Sequence, residues 1–244
     1  MILENGTEVT LRRHSGARRM TLRVSRRDGS VTLTLPRRMP ESRALAFLRA
    51  QGDWLSRALA ALPPARVVAF GALLPVEGRA LLLTPADVRA PQVEGEALIL
   101  PGLRPPGLTA AAFLRGLAQA RLAAASDRHA AALGRRFTAI ALRDTRSRWG
   151  SCTDRGRLMY SWRLAMAPPE VLDYVAAHEV AHLAHMDHSP DFWAAVARLC
   201  PDYAVRRAWL RAHGGTLHAW QFHGAAAEED NAEGEREIDS VAET

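Results

Sequence analysis

Two histidines and a glutamate occur at the spacing of a helical metal site, because residues 178–182 read His-Glu-Val-Ala-His. Residues 168–170 (Pro-Pro-Glu) predict the helix start, since proline suits the first turn and a carboxylate favours the positive end of the helix dipole. His178 and His182 then stack on one helix face, where both imidazoles can reach one ion at about 2.0–2.1 Å. Glu179 projects about 100° away, which is typical of a base that contacts the metal-bound water without binding the metal.

A catalytic zinc ion needs a third protein ligand and one open coordination position. His185, Asp187 and His188 lie just after the motif and are the candidates. His185 suits this role only if the helix continues. His188 immediately precedes residues 189–191 (Ser-Pro-Asp), which predict the cap and first turn of the next helix, so it can fold back over the motif. We therefore predict one zinc ion held by the two motif histidines and His188, since zinc is the default metal for three imidazoles with a glutamate base.

The predicted chemistry is peptide hydrolysis. Zinc lowers the pKa of its water toward about 7, and Glu179 takes the proton as the water attacks a peptide carbonyl and then returns it to the leaving amine. A second donor to the oxyanion is usually required. Tyr203, His213 and His218 are candidates, of which we select Tyr203, and a purely structural role is the competing interpretation for each.

The segment Trp149, Gly150 and Ser151 precedes the motif helix and is a candidate substrate-binding site. Glycine beside a strand lets another backbone approach closely, so this segment could form a sheet edge that pairs with an extended peptide. The alternative interpretation is a tight turn, with Trp149 in the core and Cys152 as an inert buried thiol.

Arginines support two further hypotheses. The first is a metal-dependent phosphoanhydride hydrolase, which would direct the same ion and water at a phosphorus atom and would need cations beside the site. The candidate cations are Arg143, Arg146, Arg148, Arg155, Arg157 and Arg163. A DNA-associated protease or nucleic-acid-binding protein is the other hypothesis, since nine arginines lie between Arg12 and Arg38 and alternate positions would place several on one sheet face. An ordinary solvated surface is the simpler explanation of both sets.

Apolar periodicity predicts the elements that position these residues. The first hundred residues predict short strands, with hairpin turns at Asp28-Gly29 and Glu94-Gly95, and one helix between residues 40 and 62. An alanine-rich helix is predicted over 109–133, and three more helices carry the motif and the residues after it, the last ending at Gly214-Gly215. The predicted strands are 9–13, 19–25, 31–35, 67–70, 79–83, 87–93, 97–100, 137–143 and 157–163. The three later helices are 168–185, 190–199 and 203–212.

These elements predict an α+β protein, with a β-rich N-terminal region followed by a mainly helical catalytic domain with a small sheet. A proline- and glycine-rich linker at 101–107 marks the predicted boundary. The predicted domains are 1–104 and 105–224. Residues 225–244 carry eight acids and one arginine, and are predicted to be a disordered tail.

Composition limits the functional class. The 244 residues carry a net charge of +6, and all 32 basic residues are arginine. No stretch approaches the roughly 20 apolar residues of a membrane helix, and the first residues lack a signal-peptide pattern. We therefore expect a soluble cytoplasmic protein with no membrane partner. Cys152 and Cys200 are expected to be reduced thiols, and no feature predicts the oligomeric state.

Several segments together resemble the YgjP-like metallopeptidase family, which is related to the SprT and WLM zinc proteases. They are the blocks 148–152 (Arg-Trp-Gly-Ser-Cys), 162–164 (Trp-Arg-Leu), 167–182, 186–193 and 201–203, together with the arginine-rich N-terminal hairpin and Asp53-Trp54. The resemblance implies a zincin-like catalytic domain and supports His188 as third ligand, with Asp187 where the family has asparagine. It leaves the substrate open between a peptide and a nucleotide, because one bacterial relative is described as a pyrophosphatase acting on UTP.

Overall fold

The computed structural model describes residues 2–3, 6–25, 29–62, 64–145 and 147–222. The chain forms two compact units, residues 1–64 and residues 65–244. Three features of the sequence analysis lie outside the described residues, namely Asp28 of the first predicted turn, Arg146 and the predicted acidic tail.

The smaller unit is a three-stranded sheet with two helices on one face. Strand β3 (Val31–Pro36) is central, pairing in parallel with β1 (Val9–His14) and antiparallel with β2 (Thr21–Val24). Helices α1 (Glu41–Ala50) and α2 (Gly52–Ala60) cover the face that carries the alternate apolar residues of the strands. The buried core of this unit is Val9, Val31, Leu33, Leu35, Ala44, Leu48 and Leu55.

The stretch predicted as one helix is thus two helices, which meet at Gln51. Gln51 leaves the helical conformation, with φ −97° and ψ 9°, and Gly52 follows it. Glycine favours such a break because it loses more conformational freedom than any other residue when held in a helix. The antiparallel pairing of β2 with β3 agrees with the first predicted hairpin, although most of its turn is not described.

The larger unit begins with two sheets. A four-stranded sheet has the order β5-β6-β8-β7, and a two-stranded parallel pair joins β4 near the start of the unit to β12 near its described end. The strands are β4 (Arg66–Val67), β5 (Leu73–Val76), β6 (Arg79–Ala86), β7 (Gln92–Glu94), β8 (Ala97–Pro101) and β12 (Trp220–Gln221). The second predicted hairpin is present, because β7 and β8 pair antiparallel around Gly95, which has φ +58°.

The elements that hold the candidate site follow in the same unit. Helix α3 (Pro106–Leu133) ends at Gly134, whose left-handed conformation closes it. A three-stranded sheet contains β9 (Ala139–Arg143), β10 (Gly150–Cys152) and β11 (Arg157–Ser161), with β11 in the centre. A short 3-10 helix (Trp162–Met166) leads to α4 (Pro169–Ala181), α5 (Pro190–Leu199) and α6 (Tyr203–His218).

The predicted boundary between residues 104 and 105 falls inside the larger unit. The turn between β5 and β6 packs against the segment before α4, since Glu77 N–H donates to the Ala165 carbonyl and Gly78 N–H to that of Met166. Glu77 also forms an ion pair with Arg121 on α3, with 2.6 Å between Oε1 and Nε. These bonds join the four-stranded sheet to the helices of the site, and the two compact units divide between Pro64 and Ala65.

The α+β class predicted from the sequence is confirmed, with strands first and helices mostly after them. Among the described residues, no helix combines the length and the apolar character required to cross a membrane.

Candidate metal centre

Helix α4 is buried almost completely, which fixes the direction of every side chain of the motif. All residues from Tyr174 to Ala181 are buried. Its outer surface is joined to α3 through Asp173, which accepts hydrogen bonds from Arg128 at 2.8 Å and lies 3.1 Å from His129. A helix enclosed in this way presents its histidines to a defined point, because its packing leaves no room for rotation.

His178, His182 and His188 converge at one point. Each offers a ring nitrogen, and the three nitrogens lie within 4.8 Å of one another. The Nε2 atoms of His178 and His188 are 3.2 Å apart. Two nitrogens bound to one tetrahedral zinc at about 2.0–2.1 Å would lie about 3.3–3.4 Å apart, so the observed distance corresponds to a shared ion.

The third histidine reaches this point because the chain reverses after α4. Ser189 caps α5 and accepts a hydrogen bond at its hydroxyl from the Phe192 N–H, at 3.4 Å. The Asp187 carboxylate accepts from the Ser189 N–H at 3.3 Å and thereby tightens the same turn. His185 instead contributes its backbone carbonyl, which lies 3.0 Å from Nδ1 of His182. Such a hydrogen bond fixes the ring so that Nε2 is the atom available to a metal.

Burial keeps the motif histidines neutral. It lowers the pKa of His178 well below its ordinary value, and the charges of His182 and His188 act in the same direction. Burial also lowers the pKa of His182 to about 4. A neutral imidazole offers the lone pair that a metal requires.

The donor set fits a metal ion. Nε2 of His182 is buried and has no hydrogen-bond partner within the described part of the chain, although such an atom normally has one. The ring of Phe192 lies 4.5–4.9 Å from all three histidine rings, measured between centroids, and provides an apolar wall. A buried ring nitrogen close to two others, beside an apolar wall, could hold a metal ion.

Glu179 lies directly beneath strand β10. An added Cβ at Gly150 would lie 2.5 Å from Glu179 Oε1 and 2.6 Å from its Cγ, so only glycine permits the strand to approach the carboxylate this closely. The neighbouring Cys152 thiol is buried, and burial together with the Glu179 charge raises its pKa to about 12. Cys152 is therefore a protonated, unreactive thiol beside the site.

The family description of a YgjP-like metallopeptidase domain matches residues 18–213 of the chain. The chain belongs to the YgjP-like family. It is therefore a hydrolase of the metallopeptidase type, and a metal cofactor is implied by that membership. No curated protein and no solved structure gives a significant match.

Within this YgjP-like domain, the segment 149–151 has one feature of each interpretation, a core tryptophan and a strand at a sheet edge, and its pairing with a peptide stays a prediction. Trp149 is buried in the core, and Gly150–Cys152 is also a strand at the edge of its sheet. The register shows which backbone groups face outward. Ser161 N–H donates to the Trp149 carbonyl, so Gly150 opposite Tyr160 directs its own N–H and C=O away from β11.

The three candidate oxyanion donors lie in different places. The ring of Tyr203 stacks on Trp193 at 5.4 Å between centroids, and Trp193 in turn lies 5.6 Å from the ring of His178. His218 packs on Trp149 at 4.6 Å. His213 is exposed and lies beside Trp209.

Sequence reasoning gave no role to three residues near the candidate metal centre. Phe192 and Trp193 form its aromatic wall, and the Arg207 guanidinium carbon lies 4.7 Å from the Trp193 ring centroid. Their position one turn after His188 was the available signal, since residues of the first turn of α5 must face the end of α4. Arg207 has no comparable signal, because its position depends on how α6 packs.

Arg163, which was predicted as a cation of a phosphate site, has a structural role. Its guanidinium forms two bonds to Asp144, at 2.6 and 3.1 Å, and donates to the carbonyls of Leu217 and Trp220. These bonds join the start of the 3-10 helix to the end of α6 and to β12, which explains why the residue is buried.

Proposed function

We propose that the chain is a zinc-dependent peptidase in which His178, His182 and His188 hold one ion and Glu179 activates the attacking water. The observation that carries this proposal is the convergence of three ring nitrogens within 4.8 Å of one another. The ligands come from a buried helix and from the turn after it, so their positions are largely set before any ion binds.

Zinc is the expected metal because all three donors are neutral imidazoles. Imidazole nitrogen suits borderline-soft ions, whereas magnesium and calcium prefer oxygen ligands. Three protein ligands leave the open position that catalysis requires. Zinc bound there supplies a water of lowered pKa and a Lewis acid for a carbonyl oxygen.

Glu179 is the proposed proton carrier. It follows His178 in the helix, so its carboxylate lies beside the ligands and not among them. The close approach of Gly150 restricts that carboxylate to one side. In the proposed mechanism it accepts the proton of the attacking water and delivers it to the nitrogen of the leaving amine. Tyr203 is our proposed donor to the oxyanion, since its ring packs on Trp193 beside the ligands.

The edge of β10 supports an extended peptide as substrate. Gly150 and Cys152 both occupy positions whose N–H and C=O groups point away from β11. Among the described residues, no strand pairs with β10 on that side. A substrate strand lying there would form main-chain hydrogen bonds with Gly150 and Cys152, while its carbonyl carbon faces Glu179.

The pyrophosphatase hypothesis has less support from the geometry. Of its predicted cations, Arg163 is already bonded to Asp144 and to two carbonyls. Arg155 and Arg157 are exposed around the turn that joins β10 to β11, and Arg143 is exposed at the end of β9. Phosphoryl chemistry needs cations directed at the reacting oxygens, whereas Arg163 is occupied by structural bonds and the other three are exposed.

One paired assay tests the proposal. Wild type and Glu179→Gln are loaded with zinc, and cleavage of casein, self-cleavage and release of pyrophosphate from UTP are measured for both. Glu179→Gln should retain one zinc ion and lose about 10²–10⁴-fold in peptide cleavage, the usual contribution of a general base. Glu170→Gln, on the exposed first turn of the same helix, is the matched control and should keep wild-type activity.

Each other outcome contradicts a stated part of the proposal. Full activity of Glu179→Gln in every assay would exclude Glu179 as the base. Zinc-dependent pyrophosphate release without peptide cleavage would replace the peptide by a nucleotide. Absence of bound zinc in His188→Ala and in wild type alike would refute the metal centre itself.

A further inference from the structure

Three pairs of arginines that are separated in the sequence come together at one end of the smaller unit's sheet. We call Arg12, Arg13, Arg18, Arg19, Arg37 and Arg38 the arginine cluster. All six side chains are exposed. We propose that the arginine cluster is a binding surface for the phosphate backbone of double-stranded nucleic acid, an activity separate from the metal centre.

The strand order produces this convergence. β1 and β3 run in parallel and end together, with His14 opposite Pro36. β2 runs in the opposite direction and begins at the same end, since Thr21 pairs with Thr34. The first pair of arginines therefore closes β1, the second lies in the connection that leads to β2, and the third follows β3 directly. Three strands span only about 10 Å, so the backbones of all three pairs lie at the same end of the sheet.

Hydrogen bonds hold part of the cluster in place. The Arg13 guanidinium donates to the carbonyl of Arg37 at 3.0 Å and to that of Met39 at 2.8 Å. The first and third arginine pairs are thereby linked directly. This arrangement keeps like charges together, which is unfavourable unless an anion neutralises them.

Charge around the cluster is uniformly positive. Residues 1–64 contain twelve arginines and five acidic residues. No acidic residue occurs from Val9 to Arg27 or from Gly29 to Pro40. Glu41, at the start of α1, is the nearest acid in sequence to the third pair.

The open face of the sheet beside the cluster suits a polar, extended partner. The residues on the face away from α1 and α2 are Thr10, Arg12, His14, Thr21, Arg23, Thr32, Thr34 and Pro36. Threonine hydroxyls and arginine guanidinium groups are usual donors to phosphate oxygens. This face has no large apolar side chain, which distinguishes it from surfaces that insert into a lipid headgroup layer.

The absence of aromatic side chains on these strands favours a duplex over a single strand. The aromatic residues of the unit are Phe47 and Trp54, and both belong to helices. Single-stranded nucleic acids are held by stacking of bases on aromatic rings as well as by charge. A duplex presents only phosphates and grooves, so positive charge and hydroxyl donors are enough to bind it. The binding should therefore be independent of base sequence.

The experiment measures binding of the full chain to a fluorescein-labelled DNA duplex of mixed sequence by fluorescence anisotropy at several salt concentrations. Each neutralised phosphate contributes about −0.9 to the slope of log K against log salt. If about four arginines engage phosphates, affinity should fall about 100-fold between about 50 and 200 mM salt. A single strand of the same length should bind more weakly.

Two variants of equal charge separate the cluster from net charge. The cluster variant replaces Arg18, Arg19, Arg37 and Arg38 with glutamine and retains Arg13, whose bonds hold the turn. The control variant replaces the exposed Arg43, Arg57, Arg89 and Arg104 with glutamine. The cluster variant should lose most of the affinity and reduce the salt slope by about 3.6, whereas the control variant should behave like wild type.

Several results would overturn the proposal. One is an equal loss of affinity for the duplex in both variants, and another is wild-type affinity in the cluster variant. A third is that wild type binds phosphatidylserine vesicles or polyglutamate more tightly than the duplex. Circular dichroism checks that both variants fold. If the cluster variant does not fold, the Arg18→Gln, Arg19→Gln double variant must reduce the slope by about 2, and an unchanged slope there refutes the proposal as well.

Discussion

Replacing Gly150 with alanine should disable catalysis while leaving the metal in place. The new Cβ would lie 2.5 Å from Glu179 Oε1, 2.6 Å from Cγ and 2.7 Å from Cδ. Ordinary contacts require about 3.4 Å or more, so the carboxylate or the strand must move by about 1 Å. A displacement of this size in an enzyme site commonly reduces the rate by about 100-fold.

Gly150→Ala should affect stability and metal binding much less than it affects the rate of catalysis. Insertion of a methyl group into a packed region reduces the free energy of unfolding by about 1–3 kcal/mol, which lowers the melting temperature by a few degrees in a unit of this size. The three histidine ligands do not contact Gly150 in this way, so Gly150→Ala should still bind one zinc ion. The assay combines the kcat for casein cleavage, zinc content by mass spectrometry and thermal melting.

Two comparisons isolate the cause of the lost activity. Gly116→Ala, on an exposed part of α3 with open space around the new Cβ, is the matched control and should be neutral or slightly stabilising. Glu179→Ala removes Cγ and the carboxylate, and with them the clash. The Gly150→Ala substitution should therefore reduce the melting temperature much less in the Glu179→Ala background than in wild type. Equal reductions in both backgrounds, or a kcat for Gly150→Ala close to wild type, would refute the reasoning.

Three further predictions concern groups around the site. Burial raises the pKa of Cys152 to about 12, so iodoacetamide at mildly alkaline pH should leave it unmodified in the folded protein, and mass spectrometry showing rapid modification would contradict this. Arg163→Leu removes bonds to one carboxylate and two buried carbonyls and should reduce the free energy of unfolding by about 3–5 kcal/mol, as measured with urea; a loss below about 1 kcal/mol would be inconsistent with its burial. Burial opposes ionisation of Asp173, yet the hydrogen bond and charge of His129 and the charge of Arg128 lower its pKa overall. Its stabilisation should therefore be complete above about pH 4 and decline below it, so the stability difference between wild type and Asp173→Asn must narrow as the pH falls from 6 toward 3.

The convergence of His178, His182 and His188 could be predicted because it depends on local geometry. A spacing of four residues in a helix fixes His178 and His182 on one face, and a cap sequence directly after His188 indicates a turn. Neither prediction depends on the packing of distant segments. The same holds for the α+β class, since alternating and helical periodicities are also local signals.

The remaining features depend on long-range packing, which the local sequence does not encode. Gly214 and Gly215 were predicted to end the last helix, but α6 continues to His218. An added Cβ at Gly214 would lie 2.9 Å from the Trp149 ring, so this glycine allows a close approach instead of ending the helix. The parallel pairing of β4 with β12 joins segments from opposite ends of the larger unit, and no local pattern predicts such a partner.

The contact between Gly150 and Glu179 shows the same limit within the candidate site. The sequence indicated that a glycine beside a strand could allow a close approach, but not which group would approach it. The arginine pairs of the smaller unit are a further example, because only the order β1-β3-β2 brings them together.

The most direct test of the central claim is X-ray absorption at the zinc edge on the full chain loaded with one equivalent of zinc. We expect three histidine nitrogens and one oxygen at about 2.0–2.1 Å, and loss of one histidine from the coordination sphere in His188→Ala. A protein that binds no zinc, or a sphere with sulfur or with fewer than three imidazoles in wild type, would contradict the metal centre on which the peptidase mechanism depends.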